Sequence, residues 1–248
     1  AKTKLVAGVE RAMAYRTSAL VAVGSHVRDD LLAAGIGRPE QYSVVAPGVA
    51  VPDTFDRRAA RAALGLPDGP VVTFAGRLTQ VKRPERFIDT AIEVARLHPT
   101  AIFLVAGQGE LLDSLRARAR PLGARAQFLG WRADVTTIFA ASDLVVLTSD
   151  NEGMPVSLIE AASVGTPAVT TRAGSAPEVV LDGMTGCVTG FAIEELVRAT
   201  LALLEDDDLR SRMGAAAALR AQHEFSAARL VADIEALYER IAVERGFG

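Results

Sequence analysis

The sequence predicts an α/β protein built on a Rossmann-like, doubly wound parallel sheet. Three observations carry that expectation. Residues 71–75, 101–106, 144–148 and 168–171 are short, continuous apolar runs, the pattern of strands buried on both faces. Helical patterns separate them, so strands recur at intervals of roughly 25–30 residues, the size of one βαβ unit. The stretch DLVVLTSDNEGMPVSLIEAASVGTPAVTTR, residues 143–172, holds a whole strand, loop, helix and following strand.

Composition narrows the function classes. The chain has 248 residues, half of them hydrophobic and 23% charged, with a formal net charge of −3. That balance fits one large domain, or one and a half ordinary ones, and points to neither a nucleic-acid partner nor a general membrane surface. No apolar run reaches the roughly 18 residues of a membrane span. The N-terminus is not a basic region leading into an apolar one, so no signal peptide is expected. A single cysteine, Cys187, forms no internal disulfide and is read as a small buried residue; a reducing, cytoplasmic setting is expected. Of the 27 basic residues only Lys2, Lys4 and Lys82 are lysines, which singles out Lys82, just beyond a predicted strand.

In chain order, residues 5–16 have a helical pattern and 19–24 read as a strand. Ser25 opens a helix to about Ala34, closed by Gly35, and 42–46 form a second short strand. Residues 49–69, with Pro52, Pro67 and Gly69 around a short Arg/Ala helix at 56–64, read as a linker. After the strand at 71–75, Pro84 opens an amphipathic helix to about His98, with Phe87, Ile88, Ala91, Ile92 and Ala95 on one face. The strand at 101–106 leads through Gly107-Gln108-Gly109 to a helix expected over 110–120. A strand at 126–129 and a short helix at 135–140 precede the strand at 144–148. Pro155 suits the first helical position, where its missing N–H has no partner in any case, and Gly165 ends that helix. A strand at 168–171, a short helix at 176–181, a strand at 187–189 and helices at 192–205, 207–222 and 226–244 complete the pattern.

An open parallel sheet binds ligands beyond the carboxyl ends of its strands. There the sequence places Gly76, Arg77 and Lys82, then Gly107 and Gly109, Trp131 and Arg132, and the loop Ser149–Met154 with Glu152. Arg77, Lys82 and the helix start at Met154-Pro155 suit a diphosphate, because unpaired N–H groups and cations favour an anion there. Glu152 and Glu160 would repel phosphate but can accept two hydrogen bonds from a vicinal diol. A diphosphate with polyols on both sides, a nucleotide-sugar, satisfies the whole set.

The stretch EGMPVSLIEA, with seven residues between Glu152 and Glu160, resembles the E-x7-E motif of retaining glycosyltransferases of the GT-B fold, family 4. FAGRLTQVKRPERFIDTA, VAGQGELLDSL, FLGW, SDLVVLTS, EAASVGTPAVTT and GSAPEVVLDGMTG follow in that family's order, over about residues 8–245. Glu110 stands where the family more often has Pro. The resemblance implies that Glu160 binds the ribose hydroxyls and Glu152 contacts the donor sugar. Arg77 and Lys82 would neutralise the diphosphate leaving group, with the N–H groups of Gly153, Met154 and Val156 around Pro155 completing the site. The base would lie near Trp131-Arg132. No metal or other cofactor is then expected, and His26, His98 and His223 are scattered along the chain.

The implied organisation is a remnant of an N-terminal acceptor domain (1–50), a linker (51–69), a donor-binding domain (70–225) and a C-terminal crossover helix (226–248). On that reading most of the N-terminal domain is missing. The chain would bind a nucleotide-sugar without transferring the sugar, and any membrane association would belong to the missing domain. The apolar face of the last helix would be left partly exposed or used in dimer contacts. Blander readings stand beside these. Glu160, Arg77 and Lys82 could be ordinary helix or surface charges, Glu110 and Glu152 first-turn acids, and Trp131 a core residue. Gly107 and Gly109 could serve only a tight turn, and Asp206-Asp207-Asp208 is a solvated run. A nucleotide-sugar epimerase and a non-catalytic nucleotide-binding module are the alternative functions.

Overall fold

A computed structural model of the chain describes residues 2–52 and 54–246. Ala1, Asp53, Phe247 and Gly248, which fall in the expected first unit, linker and final segment, lie outside the described residues. The elements run α1 (Lys2–Ala14), β1 (Leu20–Ala22), α2 (Ser25–Ala33), β2 (Tyr42–Val44), α3 (Arg57–Ala63), β3 (Val71–Ala75), α4 (Pro84–Leu97), β4 (Ile102–Ala106) and α5 (Leu112–Arg118). They continue with β5 (Ala126–Gly130), α6 (Val135–Ala141), β6 (Leu144–Leu147), α7 (Val156–Ser163), β7 (Ala168–Thr171), α8 (Ala176–Val179), β8 (Gly186–Thr189), α9 (Ile193–Glu205), α10 (Asp207–Glu224) and α11 (Ala227–Arg245).

Six strands form one parallel sheet in the order β5-β4-β3-β6-β7-β8. Counted from β3 this is 3-2-1-4-5-6, the order of dinucleotide-binding sheets, and it reverses direction between β3 and β6. The sheet is doubly wound, as the continuous apolar strands predict. Val71, Ala75, Ile102, Leu104, Val145 and Leu147 face a core shared with α6 and α7. Val72, Phe74, Phe103, Val105, Leu144 and Val146 face the other, shared with α4 and α9. Phe87 packs there against Phe74, tilted, and against Phe103, edge to face, with ring centroids 5.6 and 6.5 Å apart. Each such side chain contributes about 1.5–3 kcal/mol by leaving water.

The amino ends of the central strands are fastened by Asp143, which is buried just before β6. Its carboxylate accepts from the backbone N–H of Val71 (2.7 Å), from Arg61 (2.6 Å) and from Arg57, so α3 is tied to β3 and β6 at once. Several element ends differ from the sequence expectation: β1, β2 and α8 are shorter than the expected 19–24, 42–46 and 176–181. Pro155 is the N-cap of α7 (φ −75°, ψ 97°) rather than its first helical residue, and its carbonyl accepts from the N–H of Leu158 at 3.0 Å. The helix expected over 110–120 starts later, at Leu112, because the N–H of Leu111 is drawn to the carbonyl of Leu78 at 3.2 Å. A 3-10 segment over Arg120–Arg125 then replaces its end.

Residues 2–50 form a separate two-stranded parallel sheet, β1 with β2, flanked by α1 and α2. Ser226 caps α11, and this helix runs back onto that unit. Val49 and Ala227 exchange backbone hydrogen bonds with Phe225 and Val49 at 2.8 and 2.9 Å, and Arg229 donates to the carbonyls of Ala46 and Pro47 at 2.8 and 3.1 Å. Tyr238 and Val243 of α11 remain exposed.

Candidate functional site

At the carboxyl edge of the sheet, beside the β3/β6 reversal, lies a cavity of about 490 Å³. Gly76 and Arg77 after β3, Gly107 and Gln108 after β4, Trp131 and Arg132 after β5, and Ser157 and Glu160 of α7 line it. Six of the expected site residues, from four separate chain segments, therefore share one concavity. Two larger cavities, of about 710 and 990 Å³, lie away from this edge. One is at the amino ends of the strands around Asp143 and the other between the linker and α10, so neither meets the loops beyond the carboxyl ends of the strands.

The cavity wall is set by a close approach of two loops. The N–H of Gly76 donates to the carbonyl of Ala106 and that of Leu78 to Gln108, both at 2.9 Å. Gly107 has φ +146°, and a β-carbon there would lie 1.9 Å from the carbonyl oxygen of Gly76; at Gly109 it would lie 2.3 Å from that of Leu78. Both glycines are therefore required by backbone-to-backbone packing, and Gly107 lines the cavity as well. Glu110 is exposed, in the turn ahead of α5.

Of the three charged side chains that line the cavity, Arg77, Arg132 and Glu160, two have no charged partner among the described residues. The Glu160 carboxylate receives no hydrogen bond among the described residues, and burial pushes its pKa up. Arg77 is exposed and forms no salt bridge among them. Arg132 is held by Asp134, with contacts of 2.7 and 2.5 Å. Trp131 is 69% exposed, so it belongs to the cavity rim and not to the core.

Lys82 and Glu152 form a second cluster outside this lining. Lys82 Nζ donates to both oxygens of Glu152, at 2.6 and 2.8 Å, and Ser149 Oγ donates to Oε1 at 2.5 Å. Glu152 is only 7% exposed, so this pairing supplies the compensation that a buried carboxylate needs. Gly153, Met154 and Pro155 follow directly, and the exposed Val156 begins α7.

The loop after β6 is held by residues that no motif reading singled out. Arg86, itself buried, donates to the carbonyl of Thr148 (2.5 Å) and to Asp150 (2.8 Å), and Arg83 donates to Asp150 at 3.0 Å. Burial alone would raise the Asp150 carboxyl; the ion pairs with Arg86 and Arg83 outweigh it and hold the pKa below the usual range. Arg83 adopts the left-handed conformation (φ 49°), a strained backbone for a residue with a side chain, and its carbonyl accepts from Thr148 Oγ1 at 2.8 Å. The density of basic residues in VKRPER was the one signal available for this strut. Elsewhere, Asp206 caps α10 through the N–H of Leu209 (2.8 Å) and Asp207 pairs with Arg210 (2.6 Å), so both have structural partners. Cys187 is half-buried and burial raises its thiol pKa.

Residues 56–220 match the family model described as glycosyl transferases group 1. The chain belongs to this family. D-inositol 3-phosphate glycosyltransferases of Mycobacterium leprae and Mycobacterium tuberculosis are 42% identical to it over 161 residues. The match takes in 60% of this chain but 36% and 32% of those relatives, so the chain spans about a third of their length. Among solved structures, Anabaena HepE in complex with UDP and glucose superposes with a TM-score of 0.85 at 26% identity, covering 94% of this chain and 66% of that one. Sucrose-phosphate synthase from Thermosynechococcus elongatus shares the fold, with a TM-score of 0.87 at 20% identity over 97% of this chain and 62% of that one. The six-stranded domain is thus the C-terminal domain of a GT-B glycosyltransferase. No helix among the described residues is long and apolar enough to cross a membrane.

Proposed function

We propose that this group 1 glycosyltransferase chain is the donor-binding half of a retaining, family 4 enzyme that transfers a hexosyl or N-acetylhexosaminyl group from a nucleotide-diphosphate sugar to a glycan, lipid or small-molecule acceptor. The observation that carries the reading is the cavity in which Arg77, Trp131, Arg132 and the unpartnered Glu160 converge. A half-buried carboxylate without a hydrogen-bond donor is a cost in the free protein, and a ribose diol supplies two donors to it. The base then lies along Trp131-Arg132. The diphosphate lies toward Arg77, Lys82 and the start of α7, and the sugar reaches Glu152 and Gly153. The occurrence of UDP and glucose in the HepE complex agrees with this class of ligand.

In this arrangement the cations stabilise the charge that grows on the departing diphosphate. Arg77 is free to do so, whereas Lys82 is shared with Glu152, so a diphosphate at Lys82 competes with an ion pair. The division into an acceptor-domain remnant (1–50), linker (51–69), donor domain (70–225) and crossover helix (226–248) belongs to the same proposal. So does the absence of turnover by this chain alone, since the acceptor would be supplied elsewhere. Calorimetric titration with UDP, GDP and their sugars is the test. Binding of one nucleotide, weakened roughly 10- to 100-fold by Glu160→Ala through the loss of charge-assisted bonds, is expected. Binding of none, or an unchanged affinity in that variant, contradicts the assignment.

A further inference from the structure

The loop that carries Glu152 is bordered by the start of α2, from the first unit of the chain. Glu178, in the one-turn helix α8, accepts from the backbone N–H of Ser25 at 2.7 Å through Oε2 and from that of His26 at 2.9 Å through Oε1. One carboxylate thus satisfies two of the N–H groups that a helix leaves unpaired at its start. Burial pushes the Glu178 carboxyl up, but the N–H groups of His26 and Ser25 outweigh it and hold the pKa below the usual range.

The seam beside this contact is tight at Gly24 and in ordinary van der Waals contact at Gly153. A β-carbon on Gly24 would lie 2.5 Å from Ser175 Oγ and 3.0 Å from Met154 Cε. One on Gly153 would sit 3.8 Å from Val23 and 4.0 Å from Val27. The N–H of Ser175 in turn donates to the carbonyl of Glu152 at 3.0 Å, so a shift of residues 174–178 is felt in the backbone of the Glu152 loop.

We infer that Glu178 is a positioning residue for the sugar end of the donor site: by holding the start of α2 against residues 152–154 and 175, it makes Val23–Val27 the outer wall of the sugar pocket. The inference rests on the nucleotide-sugar reading above. Glu178 acts through the first unit and through Ser175, not by touching the donor. The nucleoside cavity, whose lining does not include it, is left alone.

The experiment is a titration of the whole chain with UDP, UDP-glucose, GDP and GDP-mannose, reading the increment in affinity that the sugar adds to the nucleotide that binds. Glu178→Ala should reduce that increment roughly tenfold, the scale of a lost charge-assisted contact, with the affinity for the bare nucleotide unchanged. Glu178→Gln keeps one acceptor oxygen and should restore part of it. Gly24→Ala leaves Glu178 in place but forces Ser175 and Met154 away, and should lower the increment in the same way. An increment that survives Glu178→Ala, an equal loss for nucleotide and nucleotide-sugar, or no sugar increment in the unmodified chain each overturns the inference. Failure of every nucleotide to bind overturns the underlying reading too, which separates the two failures.

Discussion

Glu160 and Glu152 have seven residues between them and opposite surroundings. Glu152 is gripped by Lys82 and Ser149, whereas Glu160 faces the cavity with no donor. Because burial raises its folded-state pKa, Glu160 favours the native state while protonated; that contribution is full below the unfolded-state pKa and is lost as pH rises through the raised value. At neutral pH Glu160→Gln should therefore stabilise the free protein. The expected rise in Tm is at most about 2–4 °C, the equivalent of about 1 kcal/mol and an upper bound for a carboxylate still reached by solvent. Nucleotide affinity should fall in the same variant, a trade-off visible by combining thermal melts with titration. The cations should divide in a parallel way. Arg77→Ala should weaken binding with an unchanged Tm, whereas Lys82→Ala, by stranding the buried Glu152, should lower Tm as well, at a cost of up to about 3–5 kcal/mol. The spacing of the two glutamates and the isolation of Lys82 among arginines were readable in the chain. Their unequal partners were not, because pairing depends on which side chains the fold brings within reach.

At the scale of elements, the strands of the six-stranded sheet were legible almost to the residue because a strand buried on both faces is a continuous apolar run with few alternatives. β3 and β7 match the expected bounds, and β4 and β6 differ from theirs by one terminal residue. Helix starts were less so, since Leu111 and Pro155 are displaced from helical roles by tertiary hydrogen bonding and by backbone angle. The loop-to-loop packing at Gly107 was visible only as a glycine pair. Its β-carbon would meet the Gly76 carbonyl at 1.9 Å in a backbone conformation hostile to side chains. Gly107→Ala should therefore cost about 3 kcal/mol or more in denaturant unfolding and remove nucleotide binding with it, since Gly76 and Gly107 line one cavity. At the other edge, Asp143→Ala would leave Arg57 and Arg61 without their shared carboxylate. A loss of about 3–5 kcal/mol is expected, with nucleotide affinity of the folded fraction preserved because that site lies at the far end of the sheet.

Over the whole molecule, two unequal bodies meet beside the loop that carries Glu152. The six-stranded sheet has two apolar cores, while the β1–β2 sheet leaves Val21 and Val44 exposed. Hydrogen exchange should reflect this: amides of β1 and β2 should open at a free energy lower by about 2 kcal/mol or more than those of β3 and β4. The assignment of the larger body to a donor domain turns on whether a nucleotide occupies the cavity at its carboxyl edge. The chain's single tryptophan, Trp131, stands on that rim and reports on it directly. Titration of its fluorescence with UDP- or GDP-sugars should give a saturable change that Glu160→Ala weakens or abolishes. A signal that no nucleotide alters would contradict the account.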